Sequence, residues 1–304
     1  MLALASLLLW SLAAADHDPS PSGNGGAPAP GTHVWVGEHR LHLHCLGSGS
    51  PTVVFESGLG GSSLDWVMVH SAVAAFTRAC TYDRAGYAWS DSGPMPRDSD
   101  SLVADLNRLL GNGSVAGPYV LVGHSLGGML VQRYAHQNPG RVAGLVLVDA
   151  AHEDQFQRME QAVRTIARSP WHQTVAMDSV HVPEGLPEEV RLQAENFSIR
   201  SRSLIALRSE LRYLQRITRG AKGMGRLPDV PLVVISHRVT EGEGTDIEEM
   251  LAATWMELQR ELATRSSRSK HVIATTGDHY VQIREPDIVI AAVREVVEKH
   301  RIAE

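Results

Sequence analysis

Tyr119-Val120-Leu121-Val122-Gly123-His124-Ser125-Leu126-Gly127-Gly128 is the stretch on which the reading of the chain turns. Residues 119–122 form an apolar run of the kind that makes a buried strand, and residues 129–136 place apolar side chains at helical spacing up to the stop signal Asn138-Pro139-Gly140. A G-x-S-x-G motif between a strand and a helix puts its serine on a sharp turn, with the hydroxyl pointing out of the sheet. A side chain at Gly123 or Gly127 is expected to collide with the neighbouring strand or helix. The helix N-terminus behind Ser125 favours negative charge, as an attacking alkoxide or a tetrahedral intermediate requires. An ordinary glycine-rich turn before a helix is the competing reading of these residues alone.

A second signature, Gly277-Asp278-His279-Tyr280, follows a strand-like run at residues 270–274. A hydrolase built on such a serine needs a histidine late in the chain, in the order serine, acid, histidine. Imidazole suits the task because it titrates near neutrality and so both takes and returns the serine proton.

Four blocks give the chain a resemblance to the alpha/beta-hydrolase superfamily, in its branch of small capped serine hydrolases. They are Val53-Val54-Phe55-Glu56-Ser57-Gly58-Leu59-Gly60, Tyr82-Asp83-Arg84-Ala85-Gly86, Gly123 to Gly128, and Gly277 to Tyr280 with Pro286 after it. The resemblance implies an α/β fold, with a mostly parallel eight-stranded sheet flanked by helices and a helical cap inserted after the sixth strand. It implies an oxyanion hole made from the backbone N–H groups of Leu59 and Leu126. Relatives commonly carry His-Gly where this chain has Ser57-Gly58, so Ser57 or Glu56 is expected to brace the loop instead. Asp83 and Arg84 are expected to fix their loop by pairing with each other and with backbone rather than to act in catalysis, and Tyr87 and Trp89 to line the pocket mouth.

The third member of the triad is open on the sequence. The family usually places its acid a few residues beyond the seventh strand, where this chain reads His237-Arg238-Val239-Thr240-Glu241 with no aspartate at the customary spacing. The other position used in the superfamily is the end of the preceding strand, where Asp149 stands. Asp149 is the first choice, with Glu241 and Asp246 as alternatives. Asp278 adjoins His279 too closely in the chain to reach the far nitrogen of its ring.

The expected organisation is a hydrophobic N-terminal segment over residues 1–15, a Pro/Gly-rich linker over 16–31, a first part of the hydrolase core over 32–150, a helical cap over 151–228, and a second core part over 229–304. Residues 2–15 are apolar and end in Ala13-Ala14-Ala15, small residues that suit a signal peptidase. The run is shorter than the about 20 apolar residues that span a bilayer. A cleaved signal peptide, hence a secreted or periplasmic protein, is the first reading; a membrane tether through this segment is the second.

The net charge of −6 and the absence of a basic stripe exclude a nucleic-acid footprint. The apolar fraction of 43% fills a substantial core, and with aromatic residues at only 5% that core must be aliphatic. The two cysteines, Cys45 and Cys80, fit no metal spacing and read first as buried thiols. In the family's strand order their strands are neighbours, so a disulfide becomes available if the protein is exported. His42 and His44 read as the polar face of an edge strand rather than as metal ligands.

The function expected from this resemblance is hydrolysis of a small or medium carboxylic ester through an acyl-enzyme intermediate, by Ser125, His279 and Asp149, with no metal and no cofactor. A serine at the elbow disfavours the dehalogenase and epoxide-hydrolase branches, which need a carboxylate nucleophile. The alternatives are a peptidase or amidase releasing N-terminal residues, which needs an acidic patch from residues such as Glu153, Glu184, Glu188, Glu189 or Glu195, and a catalytically silent ligand-binding protein. The expected partner is a small ester or amide.

Overall fold

Short apolar runs bounded by turns fold into one sheet, of eight strands among the described residues. The computed structural model describes residues 29–166, 180–221, 227–239 and 245–303. The N-terminal segment at 1–15 and most of the linker at 16–31 lie outside them. In chain order the strands are β1 (Thr32–Trp35), β2 (Arg40–Leu46), β3 (Thr52–Glu56), β4 (Ala79–Tyr82), β5 (Tyr119–His124), β6 (Val142–Val148), β7 (Leu232–Ser236) and β8 (Ser269–Ile273). Their order across the sheet is β1-β2-β4-β3-β5-β6-β7-β8. β2 runs antiparallel to both β1 and β4, and every other pair is parallel.

The helices are α1 (Val67–Ala74), α2 (Ser99–Asn112), α3 (Leu126–Gln137), α4 (Gln155–Ile166), α5 (Glu188–Ser198), α6 (Ser201–Ala221), α7 (Asp246–Leu262), α8 (Val281–Arg284) and α9 (Pro286–Ala303). Strands β3, β5, β6 and β7 are buried along their whole length, as parallel strands covered on both faces must be. The period-2 alternation divides their side chains between two cores. Val54, Leu121, Leu145 and Leu147 pack with residues of α2 and α3 on one face. Val53, Phe55, Val120, Val122, Val146 and Val148 pack with Val69 and Val73 of α1 and with Val289, Val293 and Val296 of α9 on the other. Each fully buried aliphatic side chain of this kind contributes about 1.5–3 kcal/mol. The aliphatic interior expected from the low aromatic content is the one observed.

The chain steps from β3 to β4 on one side of β3 and then returns to place β5 on its other side. That reversal opens a crevice beyond the carboxyl ends of β3 and β5, where ligands bind in open α/β sheets. The loops after these two strands carry Ser57 to Gly61 and Ser125. Topology alone therefore brings together the two glycine-rich stretches that are about 65 residues apart in sequence.

Two expectations at the first strands need correction. Cys45 and Cys80 face each other in the β2–β4 register and are joined as a disulfide, not held as separate thiols. His42 is not on a solvated edge: β1 forms the edge, and His42 is fully buried with its Nδ1 2.8 Å from Asp83 Oδ2. Burial pulls this imidazole down, but the bond to Asp83 outweighs it and the net shift is upward. A histidine beside a buried carboxylate can face the interior, which alternation alone does not reveal.

Between β6 and β7 the described regular elements are all helices, α4, α5 and α6. Among the described residues no helix is long and apolar enough to cross a membrane.

Candidate active site

Ser125 sits at the junction of β5 and α3 with φ +50° and ψ −121°. Positive φ is costly for any residue with a Cβ and persists only where the surroundings enforce it. The enforcement is visible in three backbone bonds: Ser125 N–H donates to Val148 O (3.1 Å), and Ser125 O accepts from Gly128 N (3.0 Å) and Ala151 N (2.9 Å). Close approach explains the glycines. A Cβ on Gly127 would lie 2.6 Å from Ser57 O, and one on Gly123 would lie 2.6 Å from Gly128 Cα.

Asp149 directly follows β6, also at positive φ (+43°), and is fully buried. Four N–H groups converge on its carboxylate. Oδ2 accepts from His279 Nδ1 (2.5 Å) and His237 Nδ1 (2.8 Å), and Oδ1 accepts from Trp255 Nε1 (2.9 Å) and the His237 backbone N–H (3.2 Å). Burial works to raise this carboxyl's pKa, but the hydrogen bonds from His237 and His279 win and hold it well below the usual carboxylate range.

Of the other acid candidates, Glu241 lies outside the described residues. Asp246 is exposed in the first turn of α7, beside the Thr245–Glu248 capping box, where a carboxylate is favoured by the helix dipole. Among the described residues no hydrogen bond joins it to His279. Asp278 turns away from His279, accepting from Arg284 Nε and Tyr280 N, each at 2.8 Å.

His124, the residue before the serine, was not singled out by the sequence. It is buried, and its Nε2 lies 3.0 Å from His279 O. A carbonyl only accepts, so this nitrogen carries the hydrogen. Burial first, then the neighbouring His279, push the ring down to about 3 and keep it neutral. His124 thus ties the loop that carries His279 to the end of β5.

The loop after β3 is held from below by Arg84. Its guanidinium donates to Glu56 Oε1, Ser57 O and Gly58 O, all at 2.7 Å. Ser57 Oγ adds a bond to Ser62 O (2.7 Å) and accepts from Trp66 Nε1 (3.0 Å). The expected bracing by Ser57 and Glu56 is therefore present, with Arg84 as the hub. Asp83 and Arg84 do not pair with each other: Asp83 serves His42 and the Ser63 N–H, whereas Arg84 reaches Glu210 of α6 at 3.2 Å. Glu210 also accepts from Arg97 Nη2 (3.0 Å) and from Tyr87 Oη (3.0 Å). Tyr87 is accordingly buried in this network and is absent from the lining of the pocket described below. Trp89 instead packs against Phe197 and His42.

Burial would raise Glu210, but Arg84 and Arg97 outweigh it, and its carboxyl stays ionised below its ordinary value. Glu210→Gln leaves the buried Arg97 guanidinium without its carboxylate and Arg84 with Glu56 alone, and is expected to destabilise the protein by about 3 kcal/mol. Urea denaturation checks this; an unchanged midpoint contradicts the network's role in holding α6 to the sheet.

A pocket of about 430 Å³ opens between α4 and α7, lined by Ser125, His237 and His279 together with Gln155, Met159, Leu251, Ala252 and Trp255. Its size falls in the range of about 300–1,000 Å³ typical of small-molecule sites. The donor atoms of Asp149, His237 and His279 lie within 4.8 Å of one another. The Asp149 oxygens already accept four N–H hydrogens, so a hydrogen-bond network accounts for this cluster without an ion. Neither His237 nor Trp255 is marked for the site by any pattern in the sequence; the single available signal was the missing aspartate after β7.

The family model for the alpha/beta hydrolase fold matches residues 51–214. An uncharacterized protein of Bacillus subtilis (strain 168), YqjL, is 27% identical over 255 residues, which cover 83% of this chain and 86% of its own. A probable transporter of Hormonema carpetanum, efuK, is 34% identical over 132 residues, 41% of this chain and 19% of that protein, so the chain matches about a fifth of that relative's length. Among solved structures, the enol-lactonase from Burkholderia xenovorans LB400 shares the fold with a TM-score of 0.62 at 19% identity, covering 88% of this chain and 100% of that one.

Proposed function

Because the chain belongs to the alpha/beta-hydrolase fold family, we propose that it is a serine hydrolase that cleaves a small or medium carboxylic ester through an acyl-enzyme intermediate. The observation that carries this reading is the meeting in one pocket of a strained, partly buried Ser125 with a His279 whose far nitrogen is held by the buried Asp149.

In this mechanism Ser125 Oγ attacks the ester carbonyl carbon while His279 Nε2 takes its proton. Asp149 keeps the ring in the tautomer with hydrogen on Nδ1 and stabilises the imidazolium that forms. Charge develops on the carbonyl oxygen and is received by the Leu59 and Leu126 amides. Leu126 is the first residue of α3, so its N–H has no intrahelical acceptor. The tetrahedral intermediate collapses by breaking the bond to the alcohol oxygen, which takes the proton from His279. A water molecule then repeats the sequence on the acyl-enzyme, giving up its proton to His279 and releasing the acid with Ser125 restored.

The helical insertion acts as a cap in this account: α4 supplies Gln155 and Met159 to the pocket lining, which shields the site from water. Among the described lining residues there is no carboxylate, so nothing there would hold a substrate ammonium. Glu153, Glu184 and Glu195 are engaged instead by Arg265, Arg284 and Arg191. These observations favour the ester over the N-terminal-residue peptide. The proposed setting is outside the cytosol, which the Cys45–Cys80 disulfide supports.

The test is steady-state hydrolysis of p-nitrophenyl esters of increasing acyl length by the protein from residue 16 onward. Turnover that peaks at a short or medium chain supports the reading. No turnover across the series contradicts it and returns the catalytically silent binding protein to first place.

A further inference from the structure

Asp149 serves two imidazoles, and the mechanism above uses only one of them. His237 follows β7 directly, and its Nδ1 bonds the same carboxylate oxygen as His279 Nδ1, at 2.8 Å against 2.5 Å. An ionised carboxylate only accepts hydrogen bonds, so both rings carry hydrogen on Nδ1. In the neutral ring the lone pair is then on Nε2, on the side away from Asp149. The His237 side chain is 21% exposed and lines the same pocket as Ser125. Among the described residues its Nε2 has no hydrogen-bond partner. At a pH above the raised titration of His237, where its ring is neutral, the pocket therefore presents a fixed acceptor next to the proposed reacting centre.

The rest of the lining sets what that acceptor would meet. Met159, Leu251, Ala252 and Trp255 are apolar, and Gln155 spends its carbonyl oxygen on the His152 N–H (3.0 Å). An alkyl chain laid against His237 Nε2 would strip water from the nitrogen and offer no donor in return, whereas a hydroxyl group would replace the lost water bond.

We propose that His237 is a substrate-binding residue whose Nε2 accepts a hydrogen bond from a hydroxyl group on the substrate, so that the preferred substrates are hydroxyl-bearing esters. The proposal rests on the serine-hydrolase reading and narrows its substrate class. It also separates His237 from a mere prop for Asp149. Asparagine places an amide N–H near the Nδ1 position and so retains the bond to Asp149, but it has nothing at Nε2. Glutamine reaches the Nε2 position with an acceptor oxygen.

The experiment measures kcat/KM on the alkaline side of the raised His237 titration, where the ring is neutral, for two matched pairs of esters with wild type, His237→Asn and His237→Gln. One pair carries the hydroxyl on the acyl side, p-nitrophenyl 3-hydroxybutyrate against p-nitrophenyl butyrate. The other carries it on the alcohol side, glycerol 1-monobutyrate against propyl butyrate. The expected result is a wild-type preference of about tenfold for the hydroxyl-bearing member of at least one pair. His237→Asn should reduce that ratio to about twofold or less, and His237→Gln should keep more of it than His237→Asn does.

A wild-type ratio near one in both pairs overturns the proposal without any variant. A ratio that survives in His237→Asn, or a loss that falls equally on both members of the preferred pair, also overturns it, the latter by showing a structural role only. Turnover of none of the four esters by wild type rejects the hydrolase reading itself, and the proposal with it.

Discussion

Ser125→Ala is expected to lower kcat for any ester substrate by roughly 10⁵-fold or more, because loss of the nucleophile abolishes the covalent route and leaves only binding and the oxyanion donors. Its thermal stability should be close to that of wild type. The three bonds that hold the turn, to Val148 O and from Gly128 N and Ala151 N, belong to the Ser125 backbone. Alanine carries the same Cβ into the same positive-φ position, so the strain is unchanged. A variant that melts like wild type and does not turn over separates chemistry from folding. Comparable activity in Ser125→Ala would remove the serine from the mechanism.

Asp149→Asn is expected to reduce kcat by about 10⁴-fold, the scale seen when a triad carboxylate becomes an amide and the histidine is left in the wrong tautomer. Here the change has a second cost. Four N–H donors aim at Asp149, and an amide can satisfy them only on its oxygen side while its own NH₂ faces another donor. A destabilisation of about 3 kcal/mol near neutral pH follows from breaking such a buried arrangement.

The pH dependence has a definite sign. Asp149 is depressed in the native state, so its stabilising contribution is complete above the ordinary carboxylate value of about 4 and declines as the pH falls toward the native value. His237 is shifted the other way. Burial lowers it, but the bond to Asp149 raises it further, so its contribution is complete below about 6.5 and is lost as the pH rises through the native value. The stability difference between wild type and Asp149→Asn, read from urea midpoints, should be largest between about pH 4 and 6.5 and should shrink on the acid side. A difference that grows on acidification contradicts the assignment of an ionised Asp149.

The frame of the molecule was legible because it is written in local patterns. Val142 to Val148 is apolar without interruption and forms β6 over those same residues; Ser125 is flanked by glycines that the backbone contacts require. The polar interior was less legible, since its partners come from distant parts of the chain. Glu210 lies 126 residues from Arg84, and Trp255 lies 106 residues from Asp149. Arg84 was expected to pair with its neighbour Asp83, whereas the fold gives each a separate partner. His237 illustrates the same limit. In the sequence it marks only a position where an aspartate is missing, and it acquires meaning when β6 and β7 lie side by side and bring Asp149 to it.

Arg84 also links two parts of the account. Through Ser57 O and Gly58 O it fixes the loop that carries the Leu59 amide, and through Glu210 it fixes α6. One buried guanidinium therefore joins the helical insertion to the loop of the proposed oxyanion hole, with Arg97 and Tyr87 sharing its hold on Glu210.

The most direct test of the central claim is reaction with a fluorophosphonate followed by mass spectrometry of the intact protein and its peptides. The account predicts a single adduct on Ser125 in wild type, no adduct in Ser125→Ala, and strongly slowed labelling in His279→Ala. An unlabelled wild-type protein, or an adduct on any other residue, would contradict the claim that Ser125 is an activated nucleophile.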